Sequence, residues 1–279
     1  MLAGTSLKRR IKRRLGRVAS LLQRQPPQPG VRCLVYHAIV PDHQADADQM
    51  TTPVDLFEKQ MAYLASHGFS VEPAARVVES FVAGRAPAPK TIVLTFDDGF
   101  DDLQQLALPV LQRFGFPATC FVMTAALDGR YDQVHNGWAG SYLTWSQAKA
   151  LQASGLVSVG CHGATHRRLA GLPPERLSQE IADAKRRLED GLQQPVPLFA
   201  YPFGSYGSWD ASVRRAVEQA GFLGAVTSIA GLNTASTDRF LMRRCRVSWC
   251  DDVPDEFARV VSGAYDWYAL VQRFQGRYG

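Results

Sequence analysis

The sequence has no long hydrophobic run. Its 279 residues contain neither an uninterrupted apolar stretch of the kind that forms a signal-peptide core nor one long enough for a membrane-spanning helix, which needs about 18 residues. We therefore expect neither secretion nor a transmembrane anchor, and the sequence favours a cytoplasmic location.

Cysteine is also scarce, with five residues in the chain. The number is odd, and Cys33, Cys120, Cys161 and Cys245 lie inside apolar runs. No two cysteines have the spacing of a zinc knuckle, which excludes a thiolate metal site of that kind. We expect buried thiols in a reducing compartment. With 46% hydrophobic residues, the chain can form one main domain without disulfide bonds.

Acidic residues are absent from the first thirty positions. Residues 1–30 contain eight Lys or Arg, so the net charge of +5 leaves the remaining chain at −3, from 23 basic and 26 acidic residues. That balance argues against a nucleic-acid-binding body. A stripe of apolar residues at helical spacing predicts a basic amphipathic helix: Leu7, Ile11, Leu15, Val18 and Leu22. Peripheral contact with an anionic membrane and a solvated tail both remain open.

An apolar run at residues 91–96 ends abruptly at Asp97 and Asp98. The run is short and β-branched, as is typical of a parallel strand that is covered on both faces. Successive side chains on an extended backbone point in opposite directions, so the two carboxylates are expected to do different jobs. Asp101 and Asp102 are expected to cap the next helix. A purely structural acidic turn is the alternative for Asp97 and Asp98.

Strand-like runs alternate with helix-like segments along the chain. The runs are 32–36, 91–96, 118–123, 156–161, 196–200, 223–226 and 242–247. This alternation predicts an α/β fold of parallel βα units, either a barrel or an open sheet. Four runs end in chemically unusual residues: His37; Asp97 and Asp98; His162 and His166; and residues 201–204. Function in such folds lies at the carboxyl ends of strands, so we expect these residues to meet.

His162 and His166 are four positions apart, close enough to bind one ion. With Asp98 they supply two nitrogens and one oxygen, which leaves open positions for water and substrate, as in a catalytic metal site. Gly163 stands where a metalloprotease of this spacing has its glutamate, so Asp97 is the available general base. A structural histidine pair is the alternative.

Together these motifs resemble the polysaccharide deacetylases of carbohydrate esterase family 4. The resemblance covers residues 31–249 and rests on Thr-Phe-Asp-Asp-Gly at 95–99, on His-x-x-x-His at 162–166 and on the Pro-aromatic loop that follows. It implies a distorted (β/α)7 barrel with parallel strands and one divalent metal ion, zinc before nickel, cobalt or iron. It also implies removal of acetyl groups from an N-acetylglucosamine-type glycan or a lipid-linked sugar. An O-acetyl esterase, a sugar deformylase and an inactive glycan-binding domain are the alternatives.

The resemblance assigns roles by position. Asp97 is then the general base and Phe203 contributes a backbone N–H to the oxyanion. The metal ligands are Asp98, His162 and His166. Tyr201 and Trp138 are expected to contact substrate, although the loop that carries Trp138 also fits a plain surface loop.

Three departures from the family pattern matter. The arginine that orients the base is missing from its usual loop, and Arg244 is the expected replacement. The usual Ser or Thr after the first metal histidine is Gly163, so a supporting hydroxyl is lost unless Thr165 supplies one. The usual acid histidine is also missing. His37 is expected to take its place, because residues 35–37 resemble the opening of the circularly permuted poly-N-acetylglucosamine deacetylases.

Three regions follow from these patterns. Residues 1–30 form the basic segment and its proline-rich linker, 31–250 the catalytic domain, and 251–279 a helical extension.

Overall fold

The computed structural model describes residues 29–41, 50–131, 140–247, 250 and 253–275. The basic segment up to residue 28 and Trp138 lie outside these ranges, so the hypotheses about them stay predictions. Among the described residues, no helix is both long enough and apolar enough to cross a membrane. The five cysteines are buried thiols.

Short strands and helices alternate along the described chain. The strands are β1 (Val31–Tyr36), β2 (Ala38–Val40), β3 (Thr51–Pro53), β4 (Ser70–Val71), β5 (Thr91–Phe96), β6 (Ala118–Val122), β7 (Val157–Cys161), β8 (Leu198–Ala200), β9 (Gly224–Val226) and β10 (Arg244–Arg246). The helices are α1 (Val54–Ser66), α2 (Ala74–Val82), α3 (Leu108–Phe114), α4 (Thr124–Leu127), α5 (Trp145–Ala153), α6 (Pro174–Ser178), α7 (Ala184–Leu192), α8 (Ala211–Gln219), α9 (Ala258–Ser262) and α10 (Tyr268–Gln275). One-turn π-helical segments at Leu103–Ala107, Gln179–Asp183 and Val253–Phe257 lead into α3, α7 and α9.

The main sheet is a nearly closed barrel of seven parallel strands. Their order is β10-β1-β5-β6-β7-β8-β9, so the last strand lies beside the first. A parallel bridge between Val226 and Met242 joins the two ends of this order, and Thr227 N donates to Met242 O at 2.7 Å. The expected distorted (β/α)7 barrel is confirmed, and the open sheet is excluded.

The interior of the barrel is packed below the site. A buried cluster combines apolar residues of β1, β5, β6, β8 and β9 and of the segment before β10 with one face of α2: Val31, Cys33, Ala74, Val77, Val78, Phe81, Val93, Phe121, Leu198, Ala200, Val226 and Met242. Because side chains alternate along a strand, the inward row of β5 continues from Val93 through Thr95 to Asp97. Asp97 is therefore the charged end of this row, at the barrel mouth.

Two local expectations differ from the structure. Asp102 stands at the N-terminus of the helical segment, but its side chain makes no capping hydrogen bond there; its Oδ1 instead accepts one from Ile39 N at 3.1 Å. The strand pair β2 and β3 was not predicted, because segments of three residues show no periodicity that a sequence can reveal. Asp102 thus ties the chain just beyond β1 to the acidic loop after β5.

A buried arginine joins the barrel to its C-terminal segment. Arg32 in β1 donates two hydrogen bonds to the Asp266 carboxylate, at 2.7 and 3.0 Å. The arginine side chain is 8% exposed and the aspartate side chain 36%. A guanidinium that is paired and hydrogen-bonded in this way can be buried at low cost, whereas burying either charge without its partner is costly.

Replacing Arg32 with Met should lower the free energy of unfolding by about 2–3 kcal/mol, because Asp266 loses two charge-assisted hydrogen bonds. Urea unfolding measures the loss. Arg113→Met is the control, since its ion pair with Glu58 is exposed and should contribute less than about 1 kcal/mol. Equal losses in the two variants would contradict a special role for the Arg32 pair.

Candidate active site

Three candidate ligands converge at the carboxyl ends of β5 and β7. Asp98 Oδ1 lies 3.4 Å from Nε2 of His162 and 3.4 Å from Nε2 of His166. One ligand atom from each residue lies within 4.8 Å of the others. Asp98 Oδ1 is buried and accepts no hydrogen bond from any residue that the structure describes. A buried carboxylate oxygen facing two imidazole nitrogens fits a divalent cation.

The backbone orients the first histidine of this set. The Nδ1–H of His162 donates to Ala200 O, 2.8 Å away, at the end of β8. That bond fixes a proton on Nδ1, so in the neutral imidazole the Nε2 lone pair faces Asp98. Burial alone would raise the pKa of Asp98, but the surrounding histidines hold it well below its usual range. Asp98 is therefore ionised, and the set of one carboxylate and two imidazoles is the catalytic pattern expected from the sequence.

The backbone is bent into unusual conformations around these ligands. Asp98, His166 and Phe203 all have positive φ, at 72°, 53° and 63°. Such a conformation costs a non-glycine residue about 1–2 kcal/mol. At Asp98 it has a clear use: strand alternation would aim this side chain away from that of Asp97, whereas the left-handed turn directs it toward His162. Strain and ligand placement therefore coincide.

Asp97 forms a two-pronged ion pair with Arg244. The two guanidinium nitrogens Nη1 and Nη2 donate to Oδ1 and Oδ2 at 2.6 and 2.7 Å. Arg244 Nε donates to Thr227 O at 2.8 Å, and Nη1 also donates to Thr95 Oγ1 at 3.2 Å. Burial opposes ionisation of Asp97, yet Arg244, His162 and His37 together lower its pKa below the usual value. Arg244, the expected replacement arginine, thus bonds directly to Asp97, the candidate base.

His37 lies beside Asp97 through the strand register. Tyr36 in β1 is paired with Phe96 in β5, so the next residues, His37 and Asp97, leave neighbouring strands at the same level. His37 is buried, and its Nδ1 has no hydrogen-bond partner among the described residues. Burial lowers its pKa to about 4, although the charges of Asp98 and Asp97 oppose that shift. The imidazole is therefore neutral near pH 7 in the substrate-free site.

Phe203 stands at the rim of the site. The residue is 52% exposed, and its ring lies 4.7 Å from the His166 ring, centroid to centroid. Tyr201, by contrast, is 1% exposed, and its hydroxyl donates to Phe240 O at 3.0 Å. The sequence predicted a substrate contact for Tyr201, but its side chain packs in the core, so that role is not available to it.

The loop between the two histidines has a partner that sequence reasoning missed. Thr165 Oγ1 donates to Glu180 Oε1 at 2.5 Å, so the threonine hydroxyl supports Glu180 rather than a metal histidine. Glu180 itself is 6% exposed. Its signal in the sequence is a charged residue within the apolar face of a helix, three positions after Leu177 and directly before Ile181.

A family model described as polysaccharide deacetylase matches residues 84–225, just over half of the 279 residues. The chain belongs to the polysaccharide deacetylase family. The matched part of this deacetylase domain includes Asp97, all three candidate ligands and Phe203. His37 and Arg244 lie outside it: His37 directly follows β1 and Arg244 lies in β10, the two strands that complete the barrel.

Known polysaccharide deacetylases and related proteins are similar to this chain over part of its length. The YxkH protein of Bacillus subtilis (strain 168) is 27% identical over 215 residues, which cover 77% of this chain and 70% of YxkH. The poly-beta-1,6-N-acetyl-D-glucosamine N-deacetylase of Escherichia coli (strain K12) is 31% identical over 149 residues, which cover 51% of this chain but 22% of that protein. The structure of IcaB from Ammonifex degensii has the same fold, with a TM-score of 0.69 at 24% identity over 85% of this chain and 98% of IcaB.

The two adjacent aspartates can be separated by their effects on metal binding. His166→Ala should weaken Zn²⁺ binding at least about 100-fold, because one of three protein ligands is lost. Asp97→Asn should leave the affinity close to that of the wild type, since Asp97 bonds to Arg244 instead. Chelator competition measures both. If Asp97→Asn emptied the site and Asp98→Asn left it filled, the assignment would be reversed.

Proposed function

We propose that this polysaccharide deacetylase domain is a metal-dependent hydrolase that removes acetyl groups from N-acetylated amino sugars, in an N-acetylglucosamine-type glycan. The observation that carries the proposal is an ionised Asp97, locked by Arg244, next to a donor set of Asp98, His162 and His166. The name of the Escherichia coli relative, which refers to poly-beta-1,6-N-acetyl-D-glucosamine, supports the substrate class.

A cation held by Asp98, His162 and His166 would supply Lewis-acid chemistry, lowering the pKa of a water and polarising the acetyl carbonyl. Asp97 acts as the general base. Both of its oxygens accept from Arg244, and each retains a lone pair that can take the proton of the attacking water. The same two bonds fix the carboxylate plane, so the base needs no reorientation as the reaction proceeds.

The Phe203 N–H donates to the developing oxyanion. Within the described part of the chain, this N–H donates to no backbone or side-chain oxygen. A donor that is already oriented stabilises charge in the transition state more than in the ground state. Phe203 and Gly204 both have positive φ, at 63° and 60°, and these angles define the turn that carries this N–H.

His37 delivers the proton that the departing amine needs. Amide cleavage requires such an acid, because an amide anion is a very poor leaving group. Since the imidazole is neutral in the substrate-free site, it gains its proton during the reaction. Asp97, which leaves the neighbouring strand at the same level, supplies the proton that it has taken from water.

Deacetylation is tested on the full chain loaded with Zn²⁺, Ni²⁺, Co²⁺ or Fe²⁺. We expect one free amine and one acetate per cleaved amide from N-acetylglucosamine oligomers, and an Asp97→Asn rate lower by about 10²–10⁴-fold. Comparing β-1,6-linked with β-1,4-linked oligomers defines the glycan. Acetate released only from O-acetylated sugars, or formate from formylated ones, would replace the proposal with the corresponding hydrolase. If the chain bound the oligomers but cleaved none of them with any of the four metals, it would be a glycan-binding domain.

Replacing His37 with Ala should lower the rate on the amide by about 10²–10⁴-fold, because the leaving amine loses its acid. The rate on an activated acetyl ester, whose leaving group needs no proton, should fall far less. Steady-state kinetics on both substrates measure the difference, and Zn²⁺ affinity serves as the control for an intact site. Equal losses on the two substrates would mean that His37 positions the sugar or supports the fold.

A further inference from the structure

Glu180 is a buried carboxylate that the proposed reaction does not use. It projects from the π-helical segment Gln179–Asp183, and the residue is 6% exposed. Its Oε2 accepts hydrogen bonds from the N–H groups of Ala164 and Thr165, each at 3.0 Å. Its Oε1 accepts from the Thr165 hydroxyl at 2.5 Å. One side chain therefore binds three donors in the loop that separates the two metal histidines.

The other side of this loop is held by backbone groups. The carbonyl of Gly163 accepts from Thr124 N at 3.4 Å, and that of Ala164 accepts from Ala125 N at 3.0 Å. Both donors belong to the start of α4, after β6. The carbonyls of the loop thus bond to one neighbouring strand connection, while its amides bond to Glu180. Removing the carboxylate would leave part-buried N–H groups without an acceptor, which is costly.

The loop needs such support because its backbone is strained. His166 has φ of 53°, a strained conformation for a non-glycine residue, whereas Gly163, at 81°, adopts its positive φ without strain. A Cβ atom at position 163 would lie 3.3 Å from Glu180 Oε2, so glycine allows the carboxylate to approach the loop closely. Three hydrogen bonds to one carboxylate offset the strain and restrict the angle at which His166 leaves the loop.

We propose that Glu180 is a positioning residue that sets the distance and orientation of His162 and His166 for binding a single divalent cation. The inference rests on the proposed function, because it concerns the same site. Glu180 acts through the loop: among the described residues, its hydrogen bonds to the loop go to Ala164 and Thr165, and Arg167 Nε lies 3.9 Å from Oε1. The loss expected on its removal is therefore a loss of metal affinity.

Geometry and charge can be separated at this position. In Glu180→Gln the amide oxygen can accept from both N–H groups. The amide nitrogen can donate to Thr165 Oγ1, because a hydroxyl oxygen can accept a hydrogen bond as well as donate one. The hydrogen bonds are retained and the negative charge is lost. In Glu180→Ala both are lost. Glu175→Ala removes an exposed carboxylate from α6, the preceding turn of the same helical region, and is the matched control.

The test measures Zn²⁺ dissociation constants of the full chain by chelator competition, together with the melting temperature without metal. Glu180→Ala should weaken Zn²⁺ binding by about 10–100-fold, the usual effect of removing a group that orients a ligand. Glu180→Gln should stay within about threefold of the wild type, since its hydrogen bonds persist. Glu175→Ala should match the wild type.

Thr165→Val gives a milder variant in case Glu180→Ala fails to fold. It removes the hydroxyl bond to Oε1 and keeps both amide bonds, so we expect an intermediate loss of Zn²⁺ affinity with an unchanged melting temperature. Unchanged affinity in both Thr165→Val and Glu180→Ala overturns the proposal, as does a Glu180→Gln variant as weak as Glu180→Ala. A wild-type chain that binds no divalent cation would overturn the proposed function itself, a result that is distinct from these.

Discussion

The buried ion pair between Arg244 and Asp97 is the interaction on which the site depends. Arg244 is 1% exposed and Asp97 is 4% exposed, and removing one partner of such a pair typically costs about 3–5 kcal/mol. The pair keeps a carboxylate ionised in a place where burial would otherwise protonate it. It also exists only because β10 closes the barrel beside β1, which brings the last strand within reach of the end of β5.

The other catalytic candidates follow from the same architecture. Parallel strands present their carboxyl ends on one side of the barrel, while the interior below is filled by apolar residues and closed by α2. Polar chemistry is therefore confined to the mouth. Positive φ at Asp98 and His166 adds the final adjustment, since regular strand geometry alone would not aim these two ligands at a common point.

Burial has opposite consequences for the two candidate proton carriers. It opposes ionisation of Asp97, but Arg244 and the histidines overcome that effect and keep the base charged. For His37 burial prevails, and the imidazole stays neutral. The substrate-free site therefore has a base that is ready to accept a proton and an acid that must first be protonated. This arrangement suits a reaction in which the proton of the attacking water ends on the leaving amine.

The sequence by itself determined the seven strands of the barrel, the residues at their ends and their chemical types. Periodicity and β-branched runs are local properties, and the motif at 95–99 with the histidine pair carried the family resemblance. Only the tertiary structure decided that Arg244 meets Asp97, that Tyr201 turns into the core, that Asp102 binds Ile39 N rather than capping a helix, and that Glu180 holds the histidine loop. Each of these contacts joins segments far apart in sequence or depends on a single backbone angle. Neither the pattern of hydrophobic residues nor their spacing contains that information, because it arises when the barrel closes.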